Sequence, residues 1–572
     1  MNVTKYKAVA LISLVLLGTA AIISCEDLLD KDDLTAIPEV AVWNDVNLAT
    51  AYLNKLYADI MPGWPVNASG ESDETWGGGN VMYGQLTANS IDYWPYNNIR
   101  SINLLLSDVG KGSLTTAEQD LLKGQALFLR AWQYFQLVSR YGGVPLILSP
   151  QALTDDLEVS RNKTSECIAQ IIKDLDDAAA LLPDSWGSEN AGRITMGAAL
   201  AFKGRVLLHY ASEQFDPNQS ASGRWQNAYD ANKAAKDALT AAGKSLMPDF
   251  KTLWFIEGNA NTEAVLVTRY INPGRTHNRD ACVRPLDEAQ NCTGADQPSL
   301  AMVEAFPMKN GLPITDPASG YDPDAYWLNR DPRFDATIAY NGNLWQLSGK
   351  SGRTQWTFLG SQQTGGTGTG FYCRKGINES YKPNETEISG TDWIEIRFAE
   401  VLLNLAEAAN EIGNITEAYD ELKAIRQRAG IDVGGNGLYG LKAGMAKAEM
   451  RDAVLLERRI ELAFESKRPQ DMRRRRLYNA LNGTKRKGYT VHLVGFGGDK
   501  TQFLDAYEAG SVNLNTSYTT YFNDVITDLD VLNAINYRPE YYFYAIPATH
   551  LEKNKNLAQT SGWDGGTFDP LQ

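Results

Sequence analysis

Residues 392–430 read DWIEIRFAEVLLNLAEAANEIGNITEAYDELKAIRQRAG, and this stretch carries two apolar stripes with helical spacing. The positions in the stripes are Phe398, Leu402 and Leu405, then Ala418, Leu422 and Ile425. They predict one helix over residues 393–412 and a second over residues 416–429. Gly413 and Asn414 interrupt the pattern between them, as expected where one helix ends and the next begins. The stretch therefore predicts two helices joined by a tight turn.

The turn itself, GNITEA at residues 413–418, resembles the turn between the two helices of a tetratricopeptide repeat. Such helix pairs bury their apolar faces by stacking on neighbouring pairs, which makes a scaffold. Further apolar stripes predict helices at residues 47–60, 164–182, 195–213 and 225–242. Another helix begins with a capping box at Thr115 and Glu118, and Gly142 stops it. The predicted fold class is mainly α, with stacked helix pairs, long irregular loop insertions and a few short strands.

Composition and charge exclude one class of partner. The chain has 572 residues, of which 43% are hydrophobic and 22% charged, so it can bury a large core. Its formal net charge is -15, and no stretch concentrates cations into a stripe that would neutralise a phosphate backbone. The one dense basic run, residues 473–476, follows an acid-rich helix and is expected to pair internally. Nucleic acid is therefore not an expected partner.

The N-terminus has the pattern of a secretory signal. Lys5 and Lys7 precede the apolar residues 8–23, and small residues then lead to Cys25. The residues before that cysteine resemble a bacterial lipobox. This resemblance implies cleavage of a signal peptide (1–24) and lipidation of Cys25, with multiple acyl chains that anchor the protein durably. An acidic tether at residues 25–38 follows; an uncleaved anchor with an incidental cysteine is the alternative.

The sequence contains little that points to catalysis or metal binding. The four histidines and the cysteines match no zinc-ligand spacing, so no metal and no cofactor is expected. Residues 435–440 fit G-x-G-x-x-G, but a helix precedes them where a dinucleotide site needs a strand, which favours a loop. Glu457, Glu461 and Glu465 recur every four residues on one predicted helix face, with arginines between them, which indicates a salt-bridge network. Cys282 and Cys292 enclose a short loop in which a disulfide could form or not.

The candidate ligand-binding residues lie in two loop-rich regions, residues 67–98 and 248–390. Both are rich in Gly, Asn, Thr, Pro and aromatic residues and show only short strand-like runs, such as 264–267. Sugars present C–H faces and hydroxyls, so aromatic rings beside amide, carboxylate or guanidinium groups suit them. The candidates are Trp76, Tyr83, Asn89, Asp92, Tyr93, Trp94, Tyr96, Arg275, Trp345 and Trp356. Each of them could instead pack on the scaffold, as we expect for Trp132 and Trp393.

Four blocks of the sequence match a known family pattern. They are GQALFLRAWQYFQLVSRYGGVPL (124–146), DWIEIRFAEVLLNLAEAANEIG (392–413), ERRIELAFESKRPQDMRR (457–474) and YAIPATHLEKNKNLAQTSGW (544–563). Together these blocks resemble the SusD/RagB family of nutrient-binding lipoproteins. The resemblance covers most of the chain after residue 38. It implies a SusD-like body over residues 39–572, with an N-terminal helical part (39–247), a ligand-side insertion (248–390) and a C-terminal part (391–572). No binding residue transfers with it, because the loops follow no motif.

The resemblance also implies a function. The expected protein is a non-catalytic lipoprotein, exposed on the outer-membrane surface, that captures oligosaccharides for a SusC-like TonB-dependent transporter. Three alternatives stay open at this point: a peptide ligand of the RagB kind, a surface scaffold that binds only protein, and a surface glycoside hydrolase. The hydrolase survives because the carboxylate separation that such an enzyme needs is spatial and cannot be seen in a sequence.

Overall fold

The computed structural model describes residues 39–362 and 366–572. The predicted signal peptide, Cys25 and the acidic tether lie outside the described residues.

Helices dominate the described chain, which confirms the predicted fold class. In the N-terminal part they are α1 (Glu39–Val42), α2 (Val46–Ile60), α3 (Gly79–Met82), α4 (Tyr96–Asp108), α5 (Thr116–Tyr141), α6 (Thr164–Leu181), α7 (Met196–Ala211) and α8 (Arg224–Ala241). The middle part contains the short helices α9 (Arg279–Val283), α10 (Leu300–Ala305) and α11 (Arg333–Thr337). The last part contains α12 (Phe398–Ile412), α13 (Ile415–Ala429), α14 (Lys447–Glu461), α15 (Arg468–Arg474), α16 (Lys500–Glu508), α17 (Leu514–Tyr521) and α18 (Ala548–Lys553).

The long helices stack in chain order. Helix α5 packs on α6, α6 on α7, and α7 on α8, while α12 packs on α8, α13 and α14. Each helix so placed buries its apolar stripe between neighbours, as the helix-pair pattern predicts. The capping box of α5 is present, since Thr115 Oγ1 accepts from the Glu118 amide and the Glu118 carboxylate accepts from the Thr115 amide. Trp132 and Trp393 are both core residues, as expected.

Among the described residues, four antiparallel strand pairs accompany the helices. Strand β1 (Ala264–Thr268) pairs with β6 (Trp393–Arg397), and β7 (Lys487–Leu493) pairs with β8 (Phe522–Asp528). Two shorter pairs join β2 (Ile338–Ala339) to β5 (Tyr372–Cys373) and β3 (Asn343–Leu344) to β4 (Thr354–Gln355). The middle, loop-rich part is not a set of free loops, because it shares a second apolar core with α14, α16, α17 and the β7–β8 strand pair.

The helix predicted over residues 393–412 begins five residues later in the structure. Residues 393–397 form strand β6, and the helix begins only at Phe398. In this strand Trp393 lies opposite Thr268, and Ile394 lies opposite Val267. All five residues of the strand are buried, so they show no alternation that would separate a strand from a buried helix turn. The pairing partner is more than a hundred residues away in the chain, and helical periodicity cannot report it.

The predicted salt-bridge network is present and buried. Glu461 pairs with Arg333 (2.8 Å) and Arg397 (2.5 Å), and Glu457 pairs with Arg333 at 2.7 Å. Glu465 joins the network through Arg397 at 2.9 Å. It does not share a helix face with Glu457 and Glu461, which differs from the prediction. Helix α14 ends at Glu461, and the turn that follows carries Glu465 to the network.

Two of the four arginines in the basic run at residues 473–476 form internal ion pairs, as predicted, while Arg473 lies over the Tyr544 ring and Arg476 donates to the Glu213 carbonyl. Arg474 contacts Glu407 at 2.6 Å and Arg475 contacts Glu411 at 2.8 Å, and both arginines are buried. A disulfide joins Cys282 to Cys292, with a Cα–Cα distance of 4.5 Å.

Candidate ligand-binding site

The loop at residues 67–78 presents the most exposed of the candidate rings, and a buried arginine holds this loop in place. Arg486 donates from Nη1 to the carbonyl oxygens of Gly70 (2.9 Å), Ser72 (3.2 Å) and Thr75 (3.0 Å). Its charge is balanced by Asp530 at 2.7 Å. Because one guanidinium satisfies three backbone acceptors, the loop keeps its shape without regular secondary structure.

A second ion pair fixes the same loop from within. The Asp73 carboxylate receives two hydrogen bonds from Arg468, at 2.8 and 2.9 Å, and lies 3.3 Å from Arg459. Burial alone would raise the pKa of Asp73, but the two guanidinium groups outweigh it and hold the pKa below its ordinary value. The loop is therefore tied to helices α14 and α15 of the scaffold, and the ring it carries is preorganised.

Trp76 is that ring, and it is 47% exposed. Its indole N–H donates to the Leu529 carbonyl at 3.1 Å, and its backbone amide donates to the Gln297 carbonyl at 3.1 Å. Gly368 packs so closely that a Cβ there would lie 2.8 Å from the indole ring. The ring edge is therefore fixed while about half of the side chain meets solvent, which is the arrangement a sugar face needs for stacking.

Tyr83 lies in the same neighbourhood through a shared partner. Its hydroxyl donates to Asp530 at 2.7 Å and accepts from Arg486 at 3.1 Å. Burial and the adjacent Asp530 raise the pKa of the Tyr83 hydroxyl. Thus Trp76 and Tyr83 belong to one hydrogen-bonded unit that joins residues far apart in the chain.

Three further candidates instead contact the C-terminal block. Asn89 accepts from the Ala548 amide at 2.8 Å, and Asp92 pairs with His550 at 2.8 Å. Trp94 stacks on the same histidine, with ring centroids 5.0 Å apart. These contacts bind the segment to α18 and leave Asp92 and Asn89 exposed at the surface.

Tyr93 and Tyr96 are used mainly by the scaffold. The Tyr93 hydroxyl donates to Gln133 at 2.6 Å beneath the Arg140 guanidinium, and the Tyr96 hydroxyl donates to the Pro145 carbonyl at 2.7 Å. Arg140 also lines a polar cavity of about 330 Å³, to which the 67–78 loop contributes. Its polar lining includes Glu71, Gln136, Arg140, Gln470 and Arg473.

The remaining three candidates do not join Trp76. Arg275 is exposed on another loop, 5.0 Å from the Tyr270 ring. Trp356 packs edge-on against Phe503 and Tyr507. Trp345 is 0% exposed within the second core, which removes it from the predicted platform because no face of the ring is open to a ligand. The sequence shows aromatic content but not which loop aromatics fill a core.

The residues that position Trp76 were not among the candidates. Gln297, Gly368, Arg486, Leu529 and Asp530 come from four separate stretches of the chain, and most act through backbone atoms or packing. No local pattern distinguishes them. Within residues 39–362 and 366–572, no three His, Cys, Asp or Glu side chains lie where they could hold a metal ion.

Comparison with known proteins adds the family. A family model described as the SusD family matches residues 262–563, and another, described as starch-binding associating with outer membrane, matches residues 39–208. Among curated relatives, SusD-like protein P2 of Formosa agariphila is 26% identical over 414 residues, covering 68% of this chain and 72% of that protein. SusD-like protein P38 of the same organism is 23% identical, covering 82% and 91%.

Solved structures agree in fold. A SusD-like protein from Bacteroides fragilis superposes with a TM-score of 0.75 at 26% identity, covering 93% of this chain and 99% of that one. A SusD-like carbohydrate-binding protein from the same species gives a TM-score of 0.70 at 23% identity, covering 90% and 99%. A laminarin-binding SusD-like protein gives 0.59 at 18% identity, covering 91% and 100%. Since the SusD family model alone spans more than half of the sequence, the chain belongs to the SusD family.

Proposed function

We propose that this protein is a non-catalytic glycan-binding lipoprotein of the outer-membrane surface that captures oligosaccharides and passes them to a SusC-like TonB-dependent transporter. The observation that carries the proposal is Trp76, a half-exposed ring on a loop locked by Arg486 and Asp73. The names of related proteins support it, since one family model is described as starch-binding and one structural neighbour as laminarin-binding.

The chemistry of the loop suits a sugar ring better than a charged ligand. An indole face binds the apolar C–H face of a pyranose, while neighbouring hydroxyl, amide and carboxylate groups satisfy its hydroxyls. Near Trp76 the partly exposed Tyr83 offers such a hydroxyl, while the buried Gln297 and Asp530 hold the two rings in place. Because the loop is already ordered, binding costs little conformational entropy there.

The conspicuous carboxylates are poor candidates for hydrolysis. A glycosidase needs an acid and a base that face the bond being cleaved. Glu457, Glu461 and Glu465 are fully buried and neutralised by arginines, so they cannot reach a polysaccharide. Burial would raise the pKa of Glu461, but Arg428, Arg397 and Arg333 hold it well below its ordinary value, which suits a structural anion rather than a proton donor.

The membrane part of the proposal rests on Cys25 and the lipobox-like residues before it. No helix of residues 39–362 and 366–572 has both the length and the apolar character needed to cross a membrane. A lipid anchor at Cys25 would hold the body at the surface, with the acidic tether between body and bilayer. Replacing Cys25 by Ala should abolish metabolic labelling with palmitate and release the protein from outer-membrane fractions, and retention with unchanged labelling would contradict the anchor.

The binding proposal is tested with Trp76→Ala. We expect saturable binding of at least one oligosaccharide from a panel of plant, algal and host glycans, measured by calorimetry, and a loss of tenfold or more in affinity in the variant. The matched control is Phe496→Ala, which removes another aromatic ring of similar exposure, 43%, elsewhere on the surface. Thermal unfolding of each variant establishes that the fold is intact.

Two results would overturn the proposal. One is equal affinity in Trp76→Ala and wild type; the other is binding of peptides from a parallel peptide panel with no response to any glycan. Delivery to a transporter is tested separately by affinity purification from native outer membranes, in which a TonB-dependent barrel should copurify with the lipidated protein.

A further inference from the structure

A second cleft lies apart from the Trp76 loop. A cavity of about 300 Å³ is bounded by residues 184–195, residues 242–262 and the β1–β6 sheet. A neighbouring cavity of about 200 Å³ shares Ala191, Gly192, Arg193, Val267 and Arg269 with it. In the part of the chain that the structure describes, neither lining includes a residue of the 67–96 segment.

The walls of the cleft combine one aromatic ring with aliphatic surface. Trp186 is held in orientation because its indole N–H donates to the Ile194 carbonyl at 2.9 Å. Ile256, Val267 and Ile394 supply aliphatic lining. Gly192 has φ +92° and faces the stem of Arg269, where a Cβ would lie 2.6 Å from Arg269 Cγ. The glycine therefore allows the backbone to approach the arginine closely at the junction of the two cavities.

The cavity lining contains three cations, Arg193, Lys244 and Arg269, and three carboxylates, Asp184, Glu257 and Asp392, but they are unevenly paired. Arg269 is neutralised by Asp392 at 2.8 Å and approaches Glu257 at 3.8 Å. Lys244 and Arg193 line the same cavity, and neither has a carboxylate within 4.0 Å among the described residues. Their hydrogen bonds go to neutral groups. Lys244 donates to the Asn261 carbonyl at 3.3 Å, and Arg193 donates to the side-chain oxygens of Asn190 at 2.8 Å and Gln125 at 3.4 Å.

This imbalance has an energetic consequence. Burial lowers the pKa of Lys244, so the protein itself does not compensate for the desolvation of that ammonium group. An arginine or lysine that is partly desolvated without a partner gains most from an anion supplied by a ligand. On the rim, the exposed Asp184 and Asn259 can bind hydroxyls.

We propose that this cleft is a second ligand site, which takes one carboxylated sugar residue, a hexuronic acid. The carboxylate lies between Lys244 and Arg193, and the apolar face of the ring lies against Trp186. A cavity of about 300 Å³ is at the lower end of the range for small-ligand sites and holds a single sugar ring. The site goes beyond the proposed function, since it uses none of the Trp76 contacts.

The test compares galacturonate with galactose by calorimetry or ligand-observed NMR on the full chain. We expect saturable binding of galacturonate that weakens with added salt, with galactose bound at least tenfold more weakly. Lys244→Met and Arg193→Gln should each weaken galacturonate binding fivefold or more. Lys173→Met, which removes an exposed lysine paired on its own helix, and Trp76→Ala should leave it within twofold of wild type.

Each remaining outcome counts against the site. Equal affinity for both sugars, equal competition by acetate, or unchanged binding in both cation variants would overturn the proposal, and so would the absence of saturation at the solubility limit of galacturonate. If either cation variant fails to fold, Ala191→Trp fills the junction of the two cavities with a bulky ring and must abolish binding. Loss of glycan binding in Trp76→Ala with retained galacturonate binding separates the two sites.

Discussion

Glu74 lies two residues before Trp76 and is fully buried. Neither of its carboxylate oxygens has a well-formed hydrogen bond among the described residues, although the Ser69 hydroxyl approaches it. Burial raises the pKa of Glu74 to about 7, and the nearby Asp73 adds to this, while Arg468 and Arg459 oppose it. A buried, poorly partnered carboxylate in the loop that carries the candidate ligand platform costs stability whenever it is ionised.

Glu74→Gln should stabilise the protein at neutral and alkaline pH. Between pH 4.5 and about 7 the unfolded chain releases this proton while the folded protein keeps it, so stability falls as the pH rises through that window. Gln cannot ionise, and removing the penalty should raise the free energy of unfolding at pH 8 by roughly 3 kcal/mol. At pH 4, where Glu74 is protonated in both states, the difference should be small.

Urea unfolding of wild type and variant at pH 4 and pH 8 measures both values. An equal effect of the substitution at the two pH values would mean that packing, and not ionisation, determines it.

At the scale of elements, helices α7 and α8 approach each other closely through a glycine. A Cβ on Gly204 would overlap the side chain of Asn232, which is itself buried. The Asn232 amide donates to the carbonyl oxygens of Gly204 (3.1 Å) and Ala228 (2.8 Å), so it cannot move away without losing these bonds. A polar group thus sets the distance between the two helices of the pair.

Gly204→Leu should therefore destabilise the protein, by about 1 to 3 kcal/mol or more, because the larger residue forces the helices apart and breaks the Asn232 hydrogen bonds. The intrinsic helix propensity of Leu works in the opposite direction and does not compensate. Thermal or urea unfolding measures the change. Lys203→Leu serves as the control, because Lys203 directly precedes Gly204 in the same helix but is partly exposed. This variant should change stability far less. A Gly204→Leu variant as stable as wild type would show that the two helices can move apart without loss of stability.

At the scale of the whole molecule, buried ion pairs connect the N-terminal helices to the C-terminal part of the chain. Arg205 of α7 pairs with Glu400 of α12 at 2.7 Å and with Glu395 of β6 at 2.8 Å. Burial would raise the pKa of Glu400, but Arg205 and Lys467 hold it near 2. Glu411 behaves alike, since Arg451 and Arg475 outweigh burial and hold its pKa near 2. These charges stabilise the fold only while both partners stay ionised.

Acid should therefore unfold the protein. The folded pKa values of Glu400 and Glu411 lie below the ordinary 4.5, so their contribution is complete above pH 4.5 and is lost as the pH falls towards 2. The urea midpoint, followed by circular dichroism, should fall steadily from pH 5 to pH 3. In Glu400→Gln the slope should be shallower, although the variant is less stable at neutral pH. A midpoint that does not change over this range would contradict the role assigned to the ion pairs.

Much of the scaffold could be predicted from the sequence, because helix periodicity and capping are local. The capping box at Thr115, the end of α5 at Gly142 and the turn at Gly413 all lie where the residues predict them. The family resemblance in four blocks is likewise a property of the chain itself, and the SusD family match agrees with it.

Only the tertiary structure decided which residues face solvent and which pair across the chain. Trp76 and Trp345 both lie in loop-rich sequence, yet one is 47% exposed and the other is buried. The difference arises from distant partners, such as Leu529 for Trp76 and the second core for Trp345. The residues of strand β6 fit an apolar helix pattern in the sequence, and only their pairing with β1 makes them a strand. Helical periodicity reports contacts between residues three or four positions apart. Burial and strand pairing depend on contacts between residues hundreds of positions apart, so only the tertiary structure could place the site.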